Sequence, residues 1–311
     1  MLDLFQRKSL EPMLIGHEVE PFDDEDSLFE LKLDGIRCIA YIERGKVTLK
    51  NKRNKDVTLL YPELQELSAC TNKKVILDGE IIVFKEGKPD FFSVQKRSLL
   101  TDAFKIRLAT KAIPVHFVAF DILYIDGKDI TQLPLIKRKQ ILNEAIKNNA
   151  SISISRYILE RGKDFFKLVK ENDLEGIVGK KIDSFYYFGK RTKDWKKIKV
   201  MIDEDLIICG YQIDENGNLK DLILGEYDKE KKLIYRGKVY LGISREEKKT
   251  ILDFAQDNTL KKATFPGQAS AVWIKPELVG TVHYMQKTKT KSMRQPVWKG
   301  LRLDKSAEDY I

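Results

Sequence analysis

The chain has 311 residues, more than a single hydrophobic core usually organises, so two domains are expected. An apolar content of 42% with 33% charged residues excludes bulk disorder, and three dispersed cysteines with three histidines argue against a disulfide framework or a zinc site. Charges at Asp3, Arg7 and Lys8 interrupt any secretory leader, and no apolar run reaches membrane-span length, so a reducing, cytoplasmic protein is expected.

In chain order, residues 28–50 read as a hairpin turning at Glu43-Arg44-Gly45. Within it, Glu30, Lys32 and Asp34 alternate with Leu31 and Leu33, which on a strand puts the charges on one face and the leucines on the other. A lysine between two carboxylates is costly to bury in a plain core, and a cleft for an anionic, metal-bound ligand accounts for it. The bland alternative is a structural Asp-Gly hairpin, since Asp34-Gly35, Asp78-Gly79 and Asp126-Gly127 all carry that turn signal. Residues 62–67 predict a short helix, 74–84 a strand, Asp-Gly turn and strand, and 90–96 the opening of a helix. A mostly apolar strand follows at 115–124 and a helix with a basic outer face at 135–147, with Leu135, Lys139, Leu142, Ala145 and Ile146 in its repeat. Residues 151–157 read as strand, 164–171 as helix and 175–182 as strand. The first domain is thus an α/β (α+β) domain built mainly of antiparallel sheets, spanning residues 1–200.

Near residue 200 the texture changes. Strands at 205–212, 219–227 and 233–241, a helix opened by the capping box Ser244 to Glu247, and further strands in 272–285 fit an all-β OB-fold barrel over residues 201–311, with a small sandwich as the competing arrangement. The net charge is +9, and it is locally concentrated: residues 180–199 carry eight basic against two acidic side chains, and 286–305 seven against one. Such clusters suit a polyanion such as nucleic acid, although a solvated lysine face is the plainer reading.

Seven stretches, in order, carry a resemblance. They are Lys32-Leu-Asp34-Gly35-Ile-Arg37, Arg53-Asn54, Asp78-Gly79-Glu80, Ala119-Phe120-Asp121-Ile-Leu123-Tyr124, Glu175-Gly176-Ile-Val-Gly-Lys180, Trp195-Lys-Lys197-Ile-Lys199 and Arg302-Leu-Asp304-Lys305. The chain resembles the covalent nucleotidyltransferases, most closely the ATP-dependent DNA ligases. Glu11-Pro12-Met13-Leu14 and the run from Met293 to Arg302 look like the bacterial end-joining type. The resemblance implies an adenylation (nucleotidyltransferase) domain followed by the OB-fold domain.

It also implies that Lys32 attacks the α-phosphate of ATP to give lysyl-AMP. That amine, with a free pKa of about 10.4, needs neighbouring cations such as Lys197 and Lys199 or a metal to favour its neutral form. Asp34, Lys197 and Lys199 join it as catalytic residues. Glu30 would meet the base edge, Phe120 would stack on adenine, and Leu33 and Lys180 would line the nucleotide site. Arg37 and Arg53 would contact ribose and phosphates, and Lys55 stands where the family commonly has Gly. Glu175 and Glu80 would hold Mg²⁺, or Mn²⁺, with Glu80 also near the ribose. Arg302, Asp304 and Lys305 would orient pyrophosphate, with a hinge at 200–205. AMP would then pass to the 5′-phosphate at a nick in double-stranded DNA. Interleaved aromatics at 185–188, Trp195 and Trp298 either line a DNA groove or belong to the core.

The implied enzyme is a monomeric, minimal two-domain ligase that begins within its first dozen residues and grips DNA alone or with Ku or another repair protein. The rivals are an RNA ligase or mRNA-capping guanylyltransferase, and a non-catalytic nucleic-acid binder built on an OB barrel.

Overall fold

The computed structural model describes residues 3–268, 270–287 and 292–310. The chain divides into two compact units, Met1–Val200 and Met201–Ile311.

Two large sheets build the first unit, beside a small two-stranded one, Phe84–Lys85 with Lys88–Pro89. One is four-stranded and antiparallel, in the order Tyr157–Glu160, Asp24–Leu31, Gly176–Lys181, Trp195–Lys199. The other runs Lys46–Asn51, Ile36–Glu43, Val75–Ile82, His116–Ile125, Lys128–Asp129, with Ile152–Ile154 added parallel to His116–Ile125. Residues 28–50 are therefore not one hairpin. The true hairpin is Ile36–Glu43 with Lys46–Asn51, closed at Arg44-Gly45, while Asp24–Leu31 belongs to the other sheet. Lys32 to Gly35 is the passage between the sheets.

The three Asp-Gly pairs part company here. Asp126-Gly127 is a hairpin turn with both residues at positive φ, 44° and 91°, as the favoured two-residue turn requires. Asp78-Gly79 lies inside the continuous strand Val75–Ile82, which corrects the turn expected there. Gly79 is needed for close approach, since a Cβ on it would come within 2.4 Å of the Phe117 ring.

Side-chain caps start two of the helices: Asp90 accepts from Ser93 N ahead of Phe91–Ser98, and Asp102 from Lys105 N ahead of Ala103–Ala112. The second of these was not foreseen, because Phe104 and Leu108 are exposed on it and blur its apolar stripe. The segment after Pro62 is a 3₁₀ helix, Pro62–Ala69. Leu64, Leu67, Val94 and Leu142 bring it and the helices Phe91–Ser98 and Leu135–Ala145 into one core with Cys38, Ala40, Leu77 and Phe117 of the six-stranded sheet. The basic outer face expected for Leu135–Ala145 is only partly there, because Arg138 is fully buried, as is Lys139 in the repeat.

In the second unit the central strand Ile202–Ile213 bulges twice. Its first half pairs with Val279–Tyr284 and its second with Ala271–Ile274, while Leu219–Tyr227 lies along the other edge. The unit carries the expected helix as Arg245–Asn258, fourteen residues long, and among the described residues no pairing closes the sheet into a barrel. The Ser244–Glu247 capping box is present, and Glu247 also accepts from Trp298 Nε1 and Leu301 N, tying the helix start to the strand Val297–Leu301. Of the residues 200–205 expected as a hinge, 202–205 are paired strand.

Candidate active site

Lys32 is placed by its backbone. Its N–H donates to Gly176 O at 2.9 Å, continuing the ladder one residue beyond Asp24–Leu31 before the chain leaves for the second sheet. Gly35 permits that departure, because a Cβ there would meet Ile81 O at 2.3 Å. The strand parity expected for 30–34 breaks at this point. Glu30, Leu31, Lys32 and Leu33 all face one cavity between the sheets, together with Arg37, Glu80, Phe120, Ser155, Val178, Lys180, Trp195 and Ile15.

A bulge aims Phe120 into it. Asp78 pairs with Asp121 and Gly79 with Ala119, so Phe120 is the extra residue of its strand, without a partner opposite. Two cations lie over its ring, Arg37 Cζ 4.4 Å and Lys180 Nζ 4.5 Å from the centroid. Arg37 is fixed by two bonds of 2.6 Å to Asp78, whose Oδ2 also accepts from Tyr186 Oη at 2.6 Å. Burial works against the Arg37 charge, but Asp78 outweighs it and holds the guanidinium protonated.

At the far end of the strand face, Glu30 is buried between two lysines. Lys139 Nζ donates to Oε1, and Lys180 Nζ lies 2.5 Å from Oε2. Burial by itself would raise the Glu30 pKa, and the two ammonium groups reverse it to a net lowering. For Lys180 burial prevails, and its pKa falls to about 8.

Near the mouth, Lys32 Nζ donates to Glu175 Oε1. Glu80 is pushed up to about 8, first by burial, against the pull of Arg37 and Lys32 and with added repulsion from Asp78 and Glu175. Glu80 and Glu175 therefore feel each other's charge across Lys32. Among the described residues no group of three or more His, Cys, Asp or Glu side chains could enclose an ion. Glu80 and Glu175 suit Mg²⁺ by donor type, since that ion takes oxygen ligands, few of them from the protein, and completes its shell with water. The Lys197 pKa is lowered, chiefly by burial and then by Lys199 and other nearby cations including Lys32, and Lys199 pairs with Glu18 at 3.2 Å.

Other expected residues stand elsewhere. Asp34 is half-buried and does not line the cavity. Arg53 is exposed on the turn after Lys46–Asn51 and does not line it either. That turn needs no glycine at Lys55, because Asn54 takes the left-handed conformation at φ 57° and Asn51 Oδ1 accepts from both Arg53 N and Lys55 N. In the second unit Asp205 gathers the last motif: it accepts from Arg302, Lys305, Thr281 and Tyr310, and Arg302 also pairs with Asp304 at 2.7 Å. Tyr186, Trp195 and Trp298 are core residues rather than a nucleic-acid platform, whereas Phe185 and Tyr187 are exposed. Of the basic clusters, Lys180 is buried, Lys190, Arg191, Lys193 and Lys299 are exposed, and Lys289 and Lys291 lie outside the described residues.

Two residues essential to this architecture, Lys139 and Arg138, carried no motif. Arg138 forms a buried bidentate pair with Asp121, 2.8 Å on each arm. The available signal was the i, i+4 spacing of Lys139 from Leu135, which puts a lysine on the apolar stripe.

The family model described as ATP dependent DNA ligase domain matches residues 12–199, and that described as ATP dependent DNA ligase C terminal region matches residues 215–305. The multifunctional non-homologous end joining protein LigD of Mycolicibacterium smegmatis is 30% identical over 312 residues, covering 96% of this chain and 39% of the relative. The SPbeta prophage-derived DNA ligase-like protein LigB of Bacillus subtilis is 35% identical over 201 residues, 64% of this chain and 71% of that protein. A solved ligase domain of Mycobacterium tuberculosis LigD superposes with a TM-score of 0.58 at 26% identity, covering 100% of this chain and 99% of that one. No helix among the described residues is long and apolar enough to cross a membrane.

Proposed function

The chain belongs to the ATP-dependent DNA ligase family, with a nucleotidyltransferase domain and a C-terminal OB-fold domain, and from that premise we propose that it seals nicks in duplex DNA through a lysyl-AMP on Lys32. The observation that carries this reading is Lys32 at a cavity lined also by Phe120, with Arg37 and Lys180 over its ring, and by Glu80, while Lys32 Nζ donates to Glu175.

In the first step Lys32 passes an ammonium proton to Glu175, the acceptor of its hydrogen bond, and attacks the α-phosphorus of ATP. A P–N bond forms and the bond to pyrophosphate breaks. Phe120 stacks on adenine, Glu30 accepts from the base edge, and Leu33 packs beside it. Arg37 and Lys180 present positive charge within the cavity, and Lys197 and Lys199 add it next to Lys32. Asp34, Arg53, Arg302, Asp304 and Lys305 serve the same chemistry, the last three by orienting pyrophosphate. Glu80 and Glu175 would hold Mg²⁺, which when bound neutralises phosphate charge. AMP then passes to a 5′-phosphate, and the 3′-hydroxyl displaces it.

The chain spans 39% of the M. smegmatis relative's length, and that relative's name places it in end joining; we assign this chain to the same repair process, with double-stranded DNA as substrate and Ku or another repair protein as partner.

The test is incubation with Mg²⁺ and α-labelled ATP, followed by denaturation. Label retained by the wild type, absent from Lys32→Ala and discharged by nicked DNA with strand joining is the expected result. Absence of label after pyrophosphate treatment to strip bound AMP would refute the assignment of Lys32.

A further inference from the structure

Lys139 has no part in the chemistry above and does not line the cavity, yet it is fully buried with its ammonium on Glu30. Glu30, Lys139 and Lys180 are 2%, 0% and 3% exposed. Burying one carboxylate with two ammonium groups is expensive, and apolar side chains of similar volume would pack the same space at less cost. A purely structural role therefore explains the site poorly. Among the described residues the carboxylate paired with Lys139 is Glu30, and Tyr157, opposite Glu30 in register, puts its ring 5.7 Å from Lys139 Nζ. Lys180, by contrast, is itself a cavity wall, its Nζ 4.2 Å from the Trp195 ring centroid.

The geometry points to Lys139 as a positioning residue for base selection: from behind the cavity it holds the Glu30 carboxylate in one orientation as an acceptor, so that the site takes a purine with an exocyclic amino donor and rejects one with a carbonyl at the same edge. This rests on reading the cavity as the adenine site. A carboxylate gripped through Oε1 by Lys139 and through Oε2 by Lys180 has neither the freedom to turn away nor a proton to offer. Set against the carbonyl of hypoxanthine or guanine it would leave two acceptors facing each other, with a buried polar group unpaired. Without Lys139 the carboxyl loses half of its charge compensation and one of its two tethers. It can then rotate or carry a proton, and a carbonyl edge becomes acceptable.

The experiment measures kcat and KM of self-adenylylation with ATP and of the corresponding transfer from ITP, which differs at that edge. Lys139→Met is expected to raise KM for ATP more than it lowers kcat, and to reduce the ATP:ITP ratio of kcat/KM by roughly 10–100-fold, the loss of one charged hydrogen bond. Lys139→Arg keeps the charge but shifts the donor, and is expected to fold and to lower the ratio by a smaller factor, about threefold to tenfold on the same reasoning. If Lys139→Met does not fold, Lys139→Arg decides alone. A ratio and KM equal to wild type in the folded variants overturn the inference. Phe120→Ala separates the two levels: if it leaves KM for ATP unchanged, the adenine-site reading itself fails, whereas a raised KM there with an unchanged ratio at Lys139 sinks only the role of Lys139.

Discussion

Arg138→Met perturbs the pair that joins the strand bearing Phe120 to the helix bearing Lys139. Both partners of this pair have fully buried side chains. Arg138 donates to Asp121 at 2.8 Å through Nε and Nη2, and to Leu133 O at 2.6 Å and Ser184 O at 2.9 Å through Nη1. Methionine keeps most of the volume but removes both arms of the pair, leaving Asp121 the backbone bond from Ile122 N, 2.9 Å, and the more distant charge of Lys180 to compensate a buried carboxylate. Breaking one side of such a pair costs about 3–5 kcal/mol, a large share of the ~5–15 kcal/mol that stabilises a domain. With a urea m-value of about 2 kcal/mol/M, the midpoint should fall by about 1.5–2.5 M. The assay is a urea titration followed through Trp195, in a Trp273→Phe, Trp298→Phe background for variant and parent alike, since those two tryptophans lie in the second unit. The double replacement Asp121→Leu, Arg138→Met removes both charges and should recover at least half of the loss. A single variant within about 0.3 M of its parent, or a double variant no better than the single, would refute the reasoning.

Phe120→Ala should raise KM for ATP by roughly 5–100-fold, the value of one base–aromatic stack, with the intact Lys32 still able to form label at saturating ATP; an unchanged KM excludes the stacking role. Asp205 is held down at about 2, burial opposing and Lys305, Thr281 and Tyr310 prevailing. Its unfolded value is about 3.9, so between these values the unfolded chain binds the extra proton. The contribution of Asp205 is then complete above the unfolded pKa and lost as pH falls towards 2. The stability gap between wild type and Asp205→Asn in the second unit should therefore narrow from pH 5 downwards, and a gap constant with pH contradicts this. Gly280→Ala would put a Cβ 1.9 Å from Trp298 Cη2. Overpacking of this kind costs about 1–3 kcal/mol or more, and thermal unfolding of the second unit should shift down while the first is unchanged.

Sequence alone determined a good deal here, wherever the chemistry is local. The caps Asp90 and Ser244, the turns at Arg44-Gly45 and Asp126-Gly127, and the apolar strand leading to Phe120 all follow from neighbours a few residues apart. The ordered motifs likewise identified Glu30, Leu33, Arg37, Glu80 and Lys180 as companions of Lys32, and the structure brings these side chains to one cavity. What only the tertiary structure decided are features set by long-range pairing. That Lys32 to Gly35 crosses between two sheets instead of turning a hairpin depends on which strands Asp24–Leu31 and Ile36–Glu43 adopt as partners, residues up to 154 positions away, as Lys181 is from Ser27. The bulge that aims Phe120 arises from register against Val75–Ile82, and no periodicity within its own strand announces it. Most of all, the spacing puts Lys139 on the apolar stripe of its helix without saying what would receive the charge, and that is decided by a carboxylate 109 positions earlier in the chain. A buried charge tolerates its surroundings only when a distant partner arrives to compensate it, and that partner is specified by the fold as a whole.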